Sequence, residues 1–131
     1  MGNPHAVVLL DDLDHAGDLT TAPALAPADA FPHGVSVGFA APTAPGRIAL
    51  RVHERGAGET RAWGTGACAA VQNAGPTAAA DSYLIDAPGG RLRVAVLPDD
   101  TMYLTGPVAI VAQGAVDLST LGVDTSAAAA A

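Results

Sequence analysis

The chain has 131 residues, half of them apolar, with 4% aromatics and a formal net charge of −7. That length bounds one domain whose core must be built from Val, Leu, Ile and Ala rather than from rings. Six arginines, no lysine and thirteen acids leave no basic stripe for nucleic acid or an anionic membrane, and without lysine no pyridoxal phosphate imine can form.

In chain order, Ala6 to Leu10 reads as a first strand and Asp11 to Pro32 as a loop-rich connection punctuated by Asp and Pro. Val35 to Phe39 alternates as a strand, and Arg47 to His53 is the clearest period-2 run. A helix is predicted from Ala67 to about Ala74, stopped by Gly75-Pro76. Ser82 to Asp86, Arg91 to Leu97, Met102 to Leu104 and Val108 to Val116 then read as a strand meander. Its tight turns fall at Pro88-Gly89-Gly90 and Pro98-Asp99-Asp100. Residues 1–124 form the predicted domain, and 125–131, ending in five alanines, an Ala-rich tail expected to be disordered. The longest apolar runs, such as Ala6 to Leu10 and Val108 to Ala112, are far shorter than the ~20 residues of a membrane span. With no secretory leader pattern, a cytoplasmic protein is expected. A single cysteine, Cys68, excludes a disulfide framework within the chain.

The densest chemistry lies between His53 and Ala70, in the string HERGAGETRAWGTGACAA. It reads as the end of a strand, a glycine-rich loop and the start of a helix. Gly64-Thr65-Gly66 lets a ligand approach the backbone closely, and Thr65 is placed to cap the helix that follows. The free N–H groups of that first turn suit a carboxylate or phosphate. Histidines at 5, 15, 33 and 53 sit on separate segments without the spacing that puts two ligands on one helix face, so no metal site is expected. No Walker loop, dinucleotide fingerprint or CxxC occurs, so any catalysis is read as cofactor-free.

These residues resemble the diaminopimelate epimerase family. The loop is similar to the family pattern ERG-x-GET-x-ACGTGACAA, Met1-Gly2-Asn3-Pro4-His5 to its MGNPH motif, Pro88-Gly89-Gly90-Arg91-Leu92 to its PGGRL turn and Thr105-Gly106-Pro107 to its TGP strand. Four landmarks in the same order span most of the chain, which looks like the C-terminal half of that enzyme. The resemblance implies an α+β fold: one epimerase-like lobe, an antiparallel β-sheet or barrel curled around a central helix. It implies a small-molecule ligand held by Asn3, His5, Glu54, Arg55, Gly64 and Thr65, with the Glu-Arg pair gripping ammonium and carboxylate.

Two departures alter that expectation. The family's reaction uses two cysteines on opposite faces of the substrate α-carbon, the first supplied by an N-terminal lobe that these 131 residues do not include. At the second position stands Trp63, whose indole cannot exchange a proton with carbon at neutral pH. The family's GVNVEF is here Gly34-Val35-Ser36-Val37-Gly38-Phe39, so a ligand amide becomes the Ser36 hydroxyl. Cys68, in the helix of the motif, reads as a small packing residue.

Three functions from different classes remain open. The first is a cofactor-independent isomerase or cyclase of specialised, natural-product biosynthesis, in which Trp63 is an apolar packing surface and His5 or Glu54 moves protons. His5 is the natural base, because imidazole titrates near neutral pH. The second is a non-catalytic, ligand-binding pseudoenzyme or regulatory partner of a full-length epimerase, and the third is a decayed fragment. Family members place the ligand between two lobes, so a lone lobe is expected to pair with itself as a homodimer.

Overall fold

The computed structural model describes residues 4–74 and 81–116. Asn3, the Gly75-Pro76 stop and the alanine tail lie outside the described residues. Strands β1 (His5–Leu9), β2 (Ser36–Ala44), β3 (Arg47–Glu54) and the two-residue β4 (Gly58–Glu59) precede the helix α1 (Gly64–Ala74). Strands β5 (Ser82–Ala87), β6 (Gly90–Val96) and β7 (Met102–Thr105) follow it. One sheet holds all seven strands in the order β1-β2-β3-β5-β6-β7, with β4 paired to β3. The fold is α+β, as the sequence predicts, and the sheet is open rather than closed into a barrel.

Pairing is mixed rather than purely antiparallel. β2–β3, β5–β6 and β6–β7 are antiparallel, whereas β1–β2 and β3–β5 are parallel. Parallel neighbours require a crossover, and both are supplied. The long connection between Leu9 and Ser36 carries the chain back before β2, and α1 carries it back between β3 and β5. That second crossover places the start of α1 near the end of β3, where the glycine-rich loop begins. The connection before β2 contains one 3-10 turn at Leu13–Ala16, begun by Asp12, whose carboxylate accepts a hydrogen bond from Asp14 N at 2.9 Å.

The period-2 run in β3 sorts its side chains to two faces. Ile48, Leu50 and Val52 pack with Ala40, Tyr83, Ile85 and Val94 against Ala67, Ala70 and Val71 of α1. Alanines on that helix face let it lie close to the sheet. On the opposite face, Val35, Val37 and His53 are buried under the connection through Leu19. No helix among the described residues is long and apolar enough to cross a membrane.

The strand expected from Val108 to Val116 is not formed. Residues 106–116 have no strand assignment, and Val108, Ile110 and Val111 are 93%, 78% and 95% exposed. Their β-branched composition suits a strand, but an extended segment becomes one only by pairing with a neighbour, and among the described residues β7 is paired on one side alone.

Candidate functional site

Helix α1 begins at Gly64, and its first intrahelical bond runs from Ala67 N to the Trp63 carbonyl at 2.9 Å. Thr65 is therefore inside the first turn rather than its cap, which corrects the sequence expectation. Its hydroxyl is free of the capping role and lies 3.0 Å from His5 Nε2. His5 opens β1, so this contact joins the first strand to the first turn of α1.

Beneath His5 lies Trp63. The two rings stack with centroids 4.7 Å apart and planes within 8°. Trp63 is only 4% exposed and belongs to the apolar core. Its indole is admitted by two missing side chains. A Cβ on Gly38 would lie 2.5 Å from Trp63 Cζ3, and one on Gly66 would overlap Cε3 and Cδ2. Both positions exclude any larger residue while the indole is present. Among the described residues, Trp63 Nε1 is buried with no hydrogen-bond partner, a cost in free energy that the surrounding apolar packing offsets.

The other polar residues of the motif are held by partners of their own. Ser36 is fully buried, and its Oγ accepts a bond from Arg55 N at 3.2 Å. Arg55 Nη1 donates to the His33 carbonyl at 3.0 Å, which fixes the guanidinium over the turn before β2. Glu54, half-buried at the end of β3, directs its carbonyl to Ala57 N at 3.0 Å, and no ion pair joins it to Arg55. Glu59 has a structural role: both its oxygens accept from Arg51, at 2.8 and 3.0 Å, and that guanidinium holds its carboxyl below the ordinary range. Burial pushes the Cys68 thiol up, and the side chain packs against the core, so it stays protonated. No three His, Cys, Asp or Glu side chains among the described residues form a metal-binding group.

The PGGRL turn is fitted against the same loop. Gly89 N donates to the Arg61 carbonyl at 2.6 Å, and a Cβ on Gly89 would lie 2.5 Å from that oxygen. Only glycine lets the turn approach the loop that delivers Trp63.

A sequence profile of the family described as diaminopimelate epimerase matches residues 1–111. The chain belongs to the diaminopimelate epimerase family. It is 50% identical over 125 residues to the diaminopimelate epimerase of Streptomyces coelicolor (strain A3(2)), an alignment covering 89% of this chain and 43% of that relative. The corresponding enzyme of Acidiphilium cryptum is 46% identical over 122 residues, covering 92% of this chain and 44% of the relative. That of Alkalilimnicola ehrlichii is 45% identical over 120 residues, covering 90% and 43%. The chain thus spans less than half the length of these curated relatives.

Of the residues that the diaminopimelate epimerase motifs imply, the fold brings His5, Trp63, Gly64 and Thr65 into one cluster and sets Ser36 against Arg55. Gly38 was missed in the sequence. It stands where GVNVEF has glutamate, and that departure alongside Trp63 was the available signal.

Proposed function

We propose that this member of the diaminopimelate epimerase family is a ligand-binding lobe that does not epimerise. The observation that carries the reading is the buried indole of Trp63, seated at the position of the family's second cysteine. Exchange of an α-proton on two faces needs an acid and a base at the reacting carbon. The indole is neither, and it fills space that the α-carbon requires. Cys68, held as a thiol within α1, is no substitute. What remains is Glu54 at the end of β3 and the Gly64-Thr65 turn beside His5, polar groups suited to the ammonium and carboxylate of an amino acid such as diaminopimelate, the compound in its relatives' name. The lobe pairs with a second copy of itself, and the exposed apolar segment after β7 supports that pairing.

A second reading, a cofactor-independent isomerase or cyclase of specialised biosynthesis, draws support from one feature. His5 keeps a hydroxyl within hydrogen-bond distance and lies on an aromatic surface, an arrangement able to orient a base. In that case His5 and Glu54 move the protons.

The test is proton exchange. The protein is incubated with diaminopimelate in deuterated water, and α-deuteration is followed by mass spectrometry while binding is followed by amide chemical shifts. Saturable shifts at Gly64 and Thr65 without deuteration are expected. Deuteration above the buffer rate, surviving Cys68→Ser, would overturn the non-catalytic reading.

A further inference from the structure

The face of the sheet turned away from α1 holds a cavity that the candidate site does not use. Val37 and His53 are register partners on β2 and β3, and the residues beside them, Gly38 and Val52, face Trp63 and the helix. Between Val35, Val37 and His53 on the sheet side and Pro23, Leu25 and Phe31 of the covering connection lies a partly open space of about 180 Å³. Its walls are mostly apolar, and the His53 imidazole is the exception within them. The Arg55 guanidinium, at one end, is engaged with the His33 carbonyl.

The orientation of the His53 ring follows from its partner. His53 Nδ1 lies 2.9 Å from the Leu19 carbonyl, which can only accept, so Nδ1 carries the hydrogen. With that hydrogen on Nδ1, Nε2 is the ring nitrogen left to accept a hydrogen bond. An apolar cavity with one oriented acceptor recognises a small molecule with an apolar body and a single donor.

We propose that this cavity is a second binding site, taking a small uncharged ring or alkyl compound that donates one hydroxyl or N–H hydrogen to His53 Nε2. Its walls share β2 and β3 with Ser36 and Glu54, so occupancy bears on the strand ends that frame the candidate site. The proposal does not depend on whether the lobe catalyses a reaction.

The probe is phenol, with fluorobenzene as a ring of nearly the same size that cannot donate. Both are titrated into the intact chain while amide shifts are recorded. Saturable shifts at Val35, Val37 and His53 are expected with phenol, and roughly tenfold weaker binding with fluorobenzene, the loss of one buried hydrogen bond. His53→Asn keeps a donor for the Leu19 carbonyl and removes Nε2, and it should weaken phenol to the same extent without weakening fluorobenzene. Absence of saturable phenol shifts would overturn the proposal, as would equal binding of the two rings. Should His53→Asn fail to fold, the comparison of the two rings on the unaltered chain decides alone.

Discussion

Trp63 and Gly38 are best understood as one feature. The indole fits because position 38 has no side chain, so the two departures from the family pattern act together although 25 positions separate them. Restoring the family's glutamate, Gly38→Glu, should drive a side chain into Cζ3 and destabilise the protein by about 1–3 kcal/mol, the usual range for overpacking. In a chain that also carries Trp63→Cys the same substitution should cost much less. Urea midpoints of the four combinations give the coupling, and simple additivity would show that Gly38 does not make room for Trp63. Trp63→Ala by itself should cost about 3–5 kcal/mol, because it empties a buried aromatic site. A small cost accompanied by lost ligand binding would instead identify Trp63 as the wall of a working pocket. At this scale the sequence was legible in type but not in arrangement. Glu54, Arg55, Gly64 and Thr65 were singled out by their motif. The stacking of His5 on Trp63 was not, because it joins residues brought together only by the β1–β2 pairing.

Strands and helix were legible wherever local pattern and tertiary pairing agree. The alternation from Arg47 to His53 predicted β3 because one face truly meets α1 and the other meets Leu19 and its connection. The small-residue run after Trp63 predicted α1, although Thr65 was misplaced by taking a hydroxyl before alanines as a cap. Parallel pairing of β3 with β5 was hidden, since it depends on where the crossover lands. Asp86 on β5 ties that arrangement together: Arg47 Nε of β3 and Arg91 Nε of β6 donate to its two oxygens at 2.6 and 2.7 Å. These guanidinium groups, Arg47 first, hold the Asp86 carboxyl below the usual carboxylate range. A depressed folded pKa stabilises the folded state above the unfolded value of about 3.9, and that stability is lost as pH falls through the folded value. Glu59, lowered by Arg51, behaves alike. The urea midpoint should therefore hold from pH 7 to about pH 5 and decline below pH 4. Asp86→Asn should remove part of that slope and, because the pairs are partly exposed, cost no more than about 1 kcal/mol at pH 7. An unchanged slope would mean that these bridges contribute nothing to the folded state.

For the molecule as a whole, the informative feature is the apolar surface that the open sheet leaves uncovered. Beyond the paired side of β7, Tyr103 and Leu104 are exposed, and Val108, Ile110 and Val111 follow them nearly bare. A patch of this composition at a strand edge left unpaired among the described residues is a place where another chain can add. The same residues were read in the sequence as a strand, which is the conformation they would take once given a neighbour. Under the proposed pairing, a second copy would offer that neighbour through a two-fold contact in which each segment meets the other. Light scattering at micromolar concentration should then return about twice the 12.9 kDa chain mass, with ~1,200 Å² or more buried in total. Ile110→Asp combined with Val111→Asp places charges in that contact while leaving the α1 core untouched, so it should shift the mass to that of one chain with the circular dichroism unchanged. A monomer in the unaltered protein across the micromolar range would show that these side chains meet something other than their own copy. A dimer that survives both aspartates would move the interface to the edge that β1 forms among the described residues, where Val8 and Leu9 are exposed.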